Sequence, residues 1–353
     1  MLNCPSYKQE IEFYTDYLKQ LLIELRSKTV LITGASGLIG SYLIDVLMEY
    51  NKSVKEKISV VAVDFDEKTS MERFSLYLNE DCFSYFNRDI NGDTEYISKK
   101  LDYVVHAASN TSPIDYANDP VGTICTNVIA TQKLLELARK NLVKNFLFCS
   151  SVEAYGQNNG DVDDFDESYS GYVDCNTVRA GYPSGKRAAE SMCNAYGSQY
   201  GVYFTIARIG RIYGPTIKEG DSKAPTQFIM NAVKGEDIVL KSAGTQTFSY
   251  GYVGDCASAL IYLLVRGENG QAYNVADDKS KTMLKLFAQK CADLAGTQCR
   301  FVQQDEVEKR GYSKITKATM NVDKLKRLGW EAKKDLDAGL KSTISVLKCI
   351  RGE

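Results

Sequence analysis

The chain has 353 residues, with 44% hydrophobic and 25% charged side chains, which are ordinary proportions for a globular protein. Its 43 basic and 45 acidic residues leave a formal net charge of -2, so the basic excess of a nucleic-acid-binding protein is absent. The longest apolar runs, Val60–Val63 and Ala259–Val265, are much shorter than the roughly 20 residues that cross a bilayer. We therefore expect a cytoplasmic protein without nucleic-acid or membrane partners.

The N-terminal segment, residues 1–27, lacks the apolar core of a signal peptide. Its apolar residues recur at helical spacing, which predicts an amphipathic helical extension packed on the following domain rather than an oligomerisation arm. These residues are Ile11, Tyr14, Leu18, Leu21, Leu22 and Leu25.

The ten cysteines do not form a metal-binding or disulfide pattern. The closest pair, Cys291 and Cys299, is eight residues apart, no CxxC occurs, and His106 is the only histidine. Structural zinc sites use closely spaced cysteine and histidine ligands, and disulfide scaffolds are short secreted chains. We therefore predict reduced thiols and no metal site.

From Thr29 onward, short β-rich runs alternate with helical stretches. This alternation predicts an α/β fold with a parallel sheet covered on both faces. The predicted strands are Thr29–Thr33, Ile58–Asp64, Tyr103–His106, Asn145–Ser150 and Tyr203–Arg208. The helices predicted between them are Leu38–Tyr50, Ile124–Lys140 and Ser184–Tyr200.

After Gly214–Pro215 the pattern loosens into loops and shorter elements. Helices are predicted there at Thr226–Lys234, Asp255–Arg266, Thr282–Ala295 and Asp335–Leu347. We therefore predict a main domain at residues 28–214 and a smaller lobe at residues 215–353, interwoven with the main domain rather than joined to it by a linker.

A glycine-rich loop in TVLITGASGLIGSYLIDVLMEY connects the first strand to the first long helix. Gly34, Gly37 and Gly40 let the backbone approach a pyrophosphate, and the helix that begins near Leu38 directs its free N–H groups at the same phosphates. This context predicts a dinucleotide site that includes Ser36 and Ile39. Its spacing is GxxGxxG rather than GxGxxG.

The next strand, VVAVD, ends in Asp64. A carboxylate there accepts hydrogen bonds from both ribose hydroxyls and repels a 2′-phosphate, which favours NAD over NADP as the cofactor. Further along the chain, Asp89 and Ile90 in NRDI are predicted to flank the adenine.

Tyr182 and Lys186 form a YxxxK pair within AGYPSGKRAAESMCNAY. Residues four apart share a helix face, and a lysine ammonium lowers the pKa of a nearby tyrosine from about 10. Tyr182 is thus a candidate base for a substrate hydroxyl whose hydride passes to NAD. Ser151, about 30 residues earlier, supplies a hydroxyl for the same reacting oxygen.

These motifs, in this order, resemble the extended short-chain dehydrogenases of the nucleotide-sugar epimerase/dehydratase kind. The segments are TGASGLIG, the Asp64 strand end, HAAS at His106–Ser109, SSVEAYG at Ser150–Gly156, and Tyr182 with Lys186. The resemblance implies a Rossmann doubly wound sheet that retains NAD, with a C-terminal α/β lobe for a nucleoside-diphosphate sugar.

The resemblance also implies site roles. Tyr182, Lys186 and Ser151 match catalytic positions, Ala107 and Ala108 fall beside the cofactor, and Ser109 falls beside the substrate. His106 is expected to be structural. A homodimer through the helices Ile124–Lys140 and Ser184–Tyr200 is implied as well.

Several stretches are closest to UDP-glucuronate decarboxylases, among them SPIDYANDPVGTICTNVIATQKLLELAR and TVRAGYPSGKRAAESM. Glu153 fills the position of that subgroup's glutamate, where a carboxylate can move a proton while C4 is a ketone. Nucleotide-sugar 4,6-dehydratases also have a glutamate there, whereas 4-epimerases need none. Decarboxylase is the preferred interpretation, dehydratase or epimerase the alternatives, and an inactive NAD-binding sensor a remote one.

The chain departs from the family pattern at three positions. Val152 replaces the aspartate of glucose-type dehydratases and the serine of decarboxylases. Phe248 replaces the arginine that binds the diphosphate, and Arg211 replaces an asparagine before the xYGP turn. Either Arg211 binds the diphosphate from the opposite wall, or the substrate differs from the usual UDP-sugars.

Two further arginines enter through the decarboxylase resemblance. Arg179, three residues before Tyr182, is predicted to orient a substrate carboxylate or phosphate, with a surface salt bridge as the alternative. Arg310 matches an arginine-rich segment of the decarboxylase tail approximately.

Overall fold

The computed structural model describes residues 1–112, 118–218, 220–302 and 316–352. Its strands are β1 Thr29–Thr33, β2 Ser59–Asp64, β3 Phe83–Asn87, β4 Tyr103–His106, β5 Asn145–Ser151, β6 Phe204–Ile209, β7 Arg211–Tyr213, β8 Ile238–Leu240, β9 Thr247–Tyr252, β10 Gln271–Val275, β11 Lys281–Met283, β12 Cys299–Phe301 and β13 Lys317–Ala318. Two 3₁₀ turns lie at Val152–Tyr155 and Val178–Ala180.

The helices lie mainly between the strands. They are α1 Pro5–Tyr17, α2 Lys19–Glu24, α3 Leu38–Lys52, α4 Glu67–Phe74, α5 Pro120–Asn141, α6 Gly181–Tyr200, α7 Ala224–Lys234, α8 Val253–Arg266, α9 Leu284–Ala295, α10 Asp323–Lys326 and α11 Leu336–Arg351. Among the described helices, none combines the length and the apolar character needed to cross a membrane.

A parallel sheet forms the centre of the molecule. In the described ranges it has seven strands, in the order β3-β2-β1-β4-β5-β6-β10. All of these pairs are parallel, and the inner strands are almost completely buried, because helices cover both faces. The strand order reverses direction between β1 and β4, which is where such sheets bind dinucleotides at their carboxyl edge. The predicted Rossmann doubly wound sheet is confirmed.

The chain after residue 214 builds smaller sheets and also returns to the large one. Strand β9 pairs with β7, β11 and β13, and β8 pairs with β12. Strand β10 then joins the edge of the large sheet beside β6, and α8 packs on the same sheet. The boundary near residue 214 stays a prediction.

The N-terminal helices pack into the molecule. Ile11 and Tyr14 are completely buried, and Tyr14 donates a hydrogen bond to Asp255 at the start of α8, at 2.9 Å. Glu10 accepts hydrogen bonds from Tyr42 on α3, at 2.7 Å, and from Tyr252 at the end of β9. The first 17 residues therefore connect the large sheet with the C-terminal strands.

Candidate active site

The glycine-rich loop lies at the carboxyl end of β1, next to the segment that follows β4. Gly34 has φ of +67°, and a Cβ at this position would lie 2.8 Å from backbone atoms of both Ala107 and Ala108. A Cβ on Gly40 would collide with the carbonyl oxygen of Gly34. The backbone segments therefore approach each other as closely as only glycine allows. This close packing holds the glycine-rich loop at the carboxyl edge of the sheet, where a Rossmann fold binds the pyrophosphate of a dinucleotide.

Helix α3 starts directly after this loop. Gly37 is its N-cap residue and provides no side-chain cap, so the N–H groups of the first turn point towards the crevice. Leu38 and Ile39 are half-buried at that end. A helix N-terminus without a competing cap favours a bound phosphate.

Asp64 ends β2 beside the glycine-rich loop. Its side chain is buried, and its two oxygens accept hydrogen bonds from the backbone N–H of Ser36, at 2.9 Å, and of Asp66, at 3.2 Å. Each oxygen keeps a lone pair for a ribose hydroxyl. Asp89 is exposed and Ile90 is buried just beyond β3, which pairs with β2. The predicted cofactor residues thus follow the ends of neighbouring strands.

The structure adds Lys218 to this region. Its Nζ lies 3.2 Å from the Ser36 hydroxyl and 3.3 Å from Asp66 Oδ2. Thr216, two residues earlier, donates a hydrogen bond to the carbonyl oxygen of Leu38 at 2.7 Å. The segment after β7 therefore closes over the glycine-rich loop. Sequence patterns do not reveal Lys218, because no motif marks a lysine that reaches a loop so distant in the chain.

The YxxxK pair lies on the first turns of α6. Tyr182 and Lys186 are 7% and 2% exposed, and Lys186 Nζ lies 5.8 Å from the centroid of the Tyr182 ring. Lys186 donates a hydrogen bond to the carbonyl oxygen of Cys149 on β5, at 2.8 Å. Burial lowers the pKa of Lys186 to about 8. The pair faces the end of β5.

Ser151 is the last residue of β5. Its hydroxyl accepts a hydrogen bond from the backbone N–H of Glu153, at 3.2 Å, and so begins the 3₁₀ turn of residues 152–155. Arg187 holds that turn against α6, because its guanidinium donates to the carbonyl oxygens of Ala154, at 2.6 Å, and Tyr155, at 2.9 Å. Hydrogen bonds therefore connect Ser151 and Glu153 to α6.

The predicted catalytic carboxylate, Glu153, lies close to both predicted substrate arginines. Arg179 Nη2 lies 3.3 Å from Glu153 Oε2, and Arg211 Nη2 lies 3.8 Å from Glu153 Oε1. These three side chains come from the turn after β5, from the segment before α6 and from β7. The backbone N–H of Glu153 connects this cluster to the Ser151 hydroxyl.

Arg211 also stacks on the residue that replaces the family arginine. Its Cζ lies 3.8 Å from the centroid of the buried Phe248 ring. Strands β7 and β9 run parallel, with Arg211 opposite Tyr250, which places Phe248 one pleat away. The two departures from the family pattern are thus in direct contact.

The remaining predicted residues lie around this centre. Ser109 donates a hydrogen bond to Asn127 on α5, at 3.0 Å, and makes no described contact with Glu153. The buried His106 ring has its Nδ1 2.8 Å from the Thr33 hydroxyl, and burial lowers its pKa to about 3. It is a neutral core residue, as expected for a structural role. Arg310 lies outside the described residues.

Comparison with known proteins identifies the family of the chain. Residues 30–276 match the sequence profile of the NAD dependent epimerase/dehydratase family. UDP-glucuronic acid decarboxylase 3 of Arabidopsis thaliana is 34% identical over 314 residues, which cover 88% of this chain and 86% of that protein. UDP-glucuronic acid decarboxylase 1 of Xenopus tropicalis is 32% identical over 92% of this chain and 73% of that protein.

Solved structures show the same fold. UDP-glucose 4-epimerase of Thermotoga maritima superimposes with a TM-score of 0.79 at 24% identity, over 92% of this chain and 99% of that chain. UDP-glucuronic acid 4-epimerase of Bacillus cereus, in complex with UDP-glucuronic acid and NAD, superimposes with a TM-score of 0.77 at 20% identity. The superposition covers 91% of this chain and 99% of that chain. The chain belongs to the NAD dependent epimerase/dehydratase family and is an NAD-dependent enzyme.

Proposed function

We propose that this protein decarboxylates UDP-glucuronate to UDP-xylose through a transient 4-keto sugar. The observation that carries the proposal is Glu153, which lies beside Ser151 and between two arginines. A 4-epimerase needs no carboxylate there, whereas loss of carbon dioxide leaves a carbanion at C5 that must be protonated. The curated relatives named above are UDP-glucuronic acid decarboxylases.

Tyr182 begins the reaction by taking the proton of the C4 hydroxyl. Lys186, whose pKa is about 8, carries a positive charge near neutral pH and favours the ionised form of Tyr182. The Ser151 hydroxyl holds the same sugar oxygen. NAD held at the glycine-rich loop and beside Lys186 would supply the acceptor for the C4 hydride and would return that hydride, so the reaction shows no net oxidation.

The 4-keto group makes the C5 carboxylate a β-keto acid. The bond between C5 and the carboxylate carbon breaks, carbon dioxide leaves, and the electron pair moves into the C4 carbonyl as an enolate. A proton taken up from solvent is delivered to C5 through the Glu153 carboxyl, and the ketone regenerated at C4 is reduced. Tyr182 returns its proton to the C4 oxygen, which restores the hydroxyl group that was oxidised in the first step.

The cofactor contacts are part of the proposal. The glycine-rich loop and the first turn of α3 hold the pyrophosphate, Asp64 holds the ribose, and Asp89 and Ile90 flank the adenine. The residues assigned to NAD are Gly34, Ser36, Gly37, Leu38, Ile39, Gly40, Asp64, Asp89, Ile90, Ala107, Ala108, Tyr182 and Lys186. Ser109, Arg179 and Arg211 are assigned to the substrate.

We also propose a homodimer through α5 and α6. These helices pack side by side, and α5 exposes an apolar stripe on its outer face. Val121, Ile124 and Ile129 are 70%, 45% and 42% exposed, at the spacing of one helix face. A second copy of the chain can cover this stripe in a four-helix arrangement. We also propose that the protein is cytoplasmic, as expected from the sequence.

Proton NMR of the purified protein with UDP-glucuronate and NAD tests the activity. We expect a new pentose anomeric signal, with release of carbon dioxide. The Tyr182→Phe variant is the control, because it removes the base and retains the ring.

Each other spectrum has a defined meaning. An unchanged UDP-glucuronate spectrum from protein that binds NAD contradicts the decarboxylase assignment. A hexuronate signal inverted at C4 identifies an epimerase. Conversion of a nucleoside-diphosphate glucose into a 4-keto-6-deoxy sugar identifies a dehydratase.

A further inference from the structure

The Arg211 guanidinium lies over the aromatic ring of Phe248. Its Cζ is 3.8 Å from the centroid of the Phe248 ring, and that ring is only 4% exposed. A guanidinium stacked in this way keeps the edge of its plane free for hydrogen bonds, while its face is shielded from water.

Part of that edge lacks a partner. Arg211 Nε is buried, and among the described residues no acceptor bonds to it. Within the described part of the chain, its Nη2 has only the 3.8 Å contact to Glu153 Oε1, which is longer than a normal hydrogen bond. A buried guanidinium N–H without an acceptor is costly, so this edge is suited to an anion that the protein itself does not supply.

The local charge balance favours an anion as well. Arg179 and Arg211 contribute two positive charges around the single carboxylate of Glu153. Their side chains are 30%, 27% and 14% exposed, and the contacts are 3.3 Å and 3.8 Å long. The cluster is therefore loosely paired, opens towards solvent and carries one excess positive charge.

We propose that Arg211, backed by Phe248, binds the sugar carboxylate of the substrate. The inference rests on the proposed function, because that substrate is a nucleoside-diphosphate sugar with a carboxylate at C5. Glu153 of this cluster donates its backbone N–H to the hydroxyl of Ser151, which holds the C4 oxygen in the proposed function, and C5 is the ring neighbour of C4. The diphosphate is attached at C1, across the ring from C4, and lies further from Glu153.

Phe248 acts as a positioning residue in this subsite. It supplies a flat apolar wall without donors, so the Arg211 guanidinium is fixed without losing N–H groups to a protein acceptor. It also excludes water from one face of the ion pair, which strengthens the interaction with the carboxylate.

This contact exists before carbon dioxide leaves and is lost with it. A contact made equally in the bound substrate and in the transition state of C4 oxidation contributes only to binding, so its removal weakens substrate binding and leaves the chemical step unchanged. Loss of Arg211 is therefore expected to raise KM strongly and to change kcat little.

Calorimetric titration can test the subsite without turnover if every protein carries Tyr182→Phe. The ligands are UDP-glucuronate, UDP-xylose and UDP, of which only the first has a sugar carboxylate. Arg211→Gln is expected to lower the affinity for UDP-glucuronate by about tenfold or more. The affinity for the other two ligands should fall by less than about twofold. Arg211→Lys restores part of the loss.

Matched variants separate the roles of the ring and the charge. Arg26→Gln removes another arginine stacked on a tyrosine, Tyr50, outside the site and is expected to change nothing. Phe248→Leu keeps an apolar wall without a π face and is expected to lower the affinity for UDP-glucuronate alone, by about threefold. Phe248→Tyr keeps the aromatic face and should retain the affinity. Thermal unfolding and NAD titration verify that each variant is folded.

Equal weakening of all three ligands by Arg211→Gln would assign the arginine to the diphosphate and overturn the inference. Unchanged UDP-glucuronate binding, or no discrimination between UDP-glucuronate and UDP-xylose by the Tyr182→Phe protein, would overturn it too. The proposed function fails separately, if the native enzyme forms no UDP-xylose while Arg211-dependent binding of UDP-glucuronate persists.

Discussion

The ammonium nitrogen of Lys186 lies 2.8 Å from the carbonyl oxygen of Cys149. This hydrogen bond connects the helix that carries Tyr182 to the strand that ends in Ser151. The same lysine is 2% exposed, and burial lowers its pKa to about 8. The lysine that makes this link therefore carries a charge that titrates just above neutral pH.

The titration of Lys186 predicts how activity depends on pH. Below about pH 8 the ammonium is charged and favours ionised Tyr182, and above it the neutral amine loses this effect. We expect kcat/KM of the free enzyme to fall as pH rises through about 8. In Lys186→Arg the charge persists, and the alkaline limb should move upward. The measurement is kcat/KM against pH, and an alkaline limb at the same pH in both proteins would contradict the prediction.

Glu153 is expected to act in proton transfer and not in cofactor binding. Glu153→Gln keeps the shape and removes the titratable proton, so kcat should fall by about 100-fold or more. NAD affinity should not change. Glu56→Gln, at an exposed position outside the site, is the matched control. Comparable kcat in the two variants would remove Glu153 from the mechanism.

Local patterns predicted the inner strands well. The predicted bounds of β1 and β4 coincide with those of the structure, because continuous apolar runs mark buried parallel strands. Strands β3 and β10 were not predicted. Each is an edge strand of the large sheet, and their FSYFN and QAYNV sequences mix aromatic and polar residues without an apolar run.

The cofactor loop and the YxxxK pair are readable because each is contained in one short segment. The cluster around Glu153 cannot be recognised from one segment. Arg179 and Arg211 lie in separate parts of the chain and approach Glu153 only because of the order of β5, β6 and β7. The family, the fold and NAD as cofactor are confirmed. The roles of the individual site residues stay predictions.

Asp64 is expected to set the preference for NAD over NADP. Asp64→Asn removes the charge that repels a 2′-phosphate and leaves one oxygen as an acceptor. We expect NAD affinity to fall about tenfold and the discrimination against NADP to narrow by a similar factor. Titration of both dinucleotides measures this, with the exposed Asp81→Asn as a control. An unchanged ratio of the two affinities would show that discrimination lies elsewhere.

Gly34 combines a left-handed backbone with a close approach, and a second glycine separates these effects. Gly34 and Gly296 have φ of +67° and +69°, but a Cβ meets Ala107 and Ala108 at the first position and nothing at the second. Gly296→Ala should cost about 1 kcal/mol of unfolding free energy, and Gly34→Ala about 2–4 kcal/mol. Only Gly34→Ala should abolish NAD binding. Chemical denaturation and NAD titration measure both, and equal costs would contradict the predicted collision.

The buried carboxylate of Asp255 is expected to make the unfolding free energy of the protein depend on pH. Its carboxylate is 2% exposed, and burial raises its pKa to about 6, although it accepts hydrogen bonds from Tyr14 and from two backbone N–H groups. Because the unfolded pKa is about 3.9, the folded protein binds more protons between about pH 4 and pH 6. The Asp255 contribution to the unfolding free energy should therefore fall by about 2–3 kcal/mol as pH rises through this window.

The Asp255→Asn variant tests this contribution, because an amide does not titrate. Its amide nitrogen faces a backbone N–H donor, of Lys333 or of Lys334, so the variant should be less stable than the native protein at every pH. The difference between the two proteins should shrink as pH rises from about 4 to about 6, since only the native protein then loses stability at this site. Urea denaturation at each pH measures that difference. A difference that stays constant over the window would show that Asp255 is ionised throughout, held by Tyr14 and the two N–H donors.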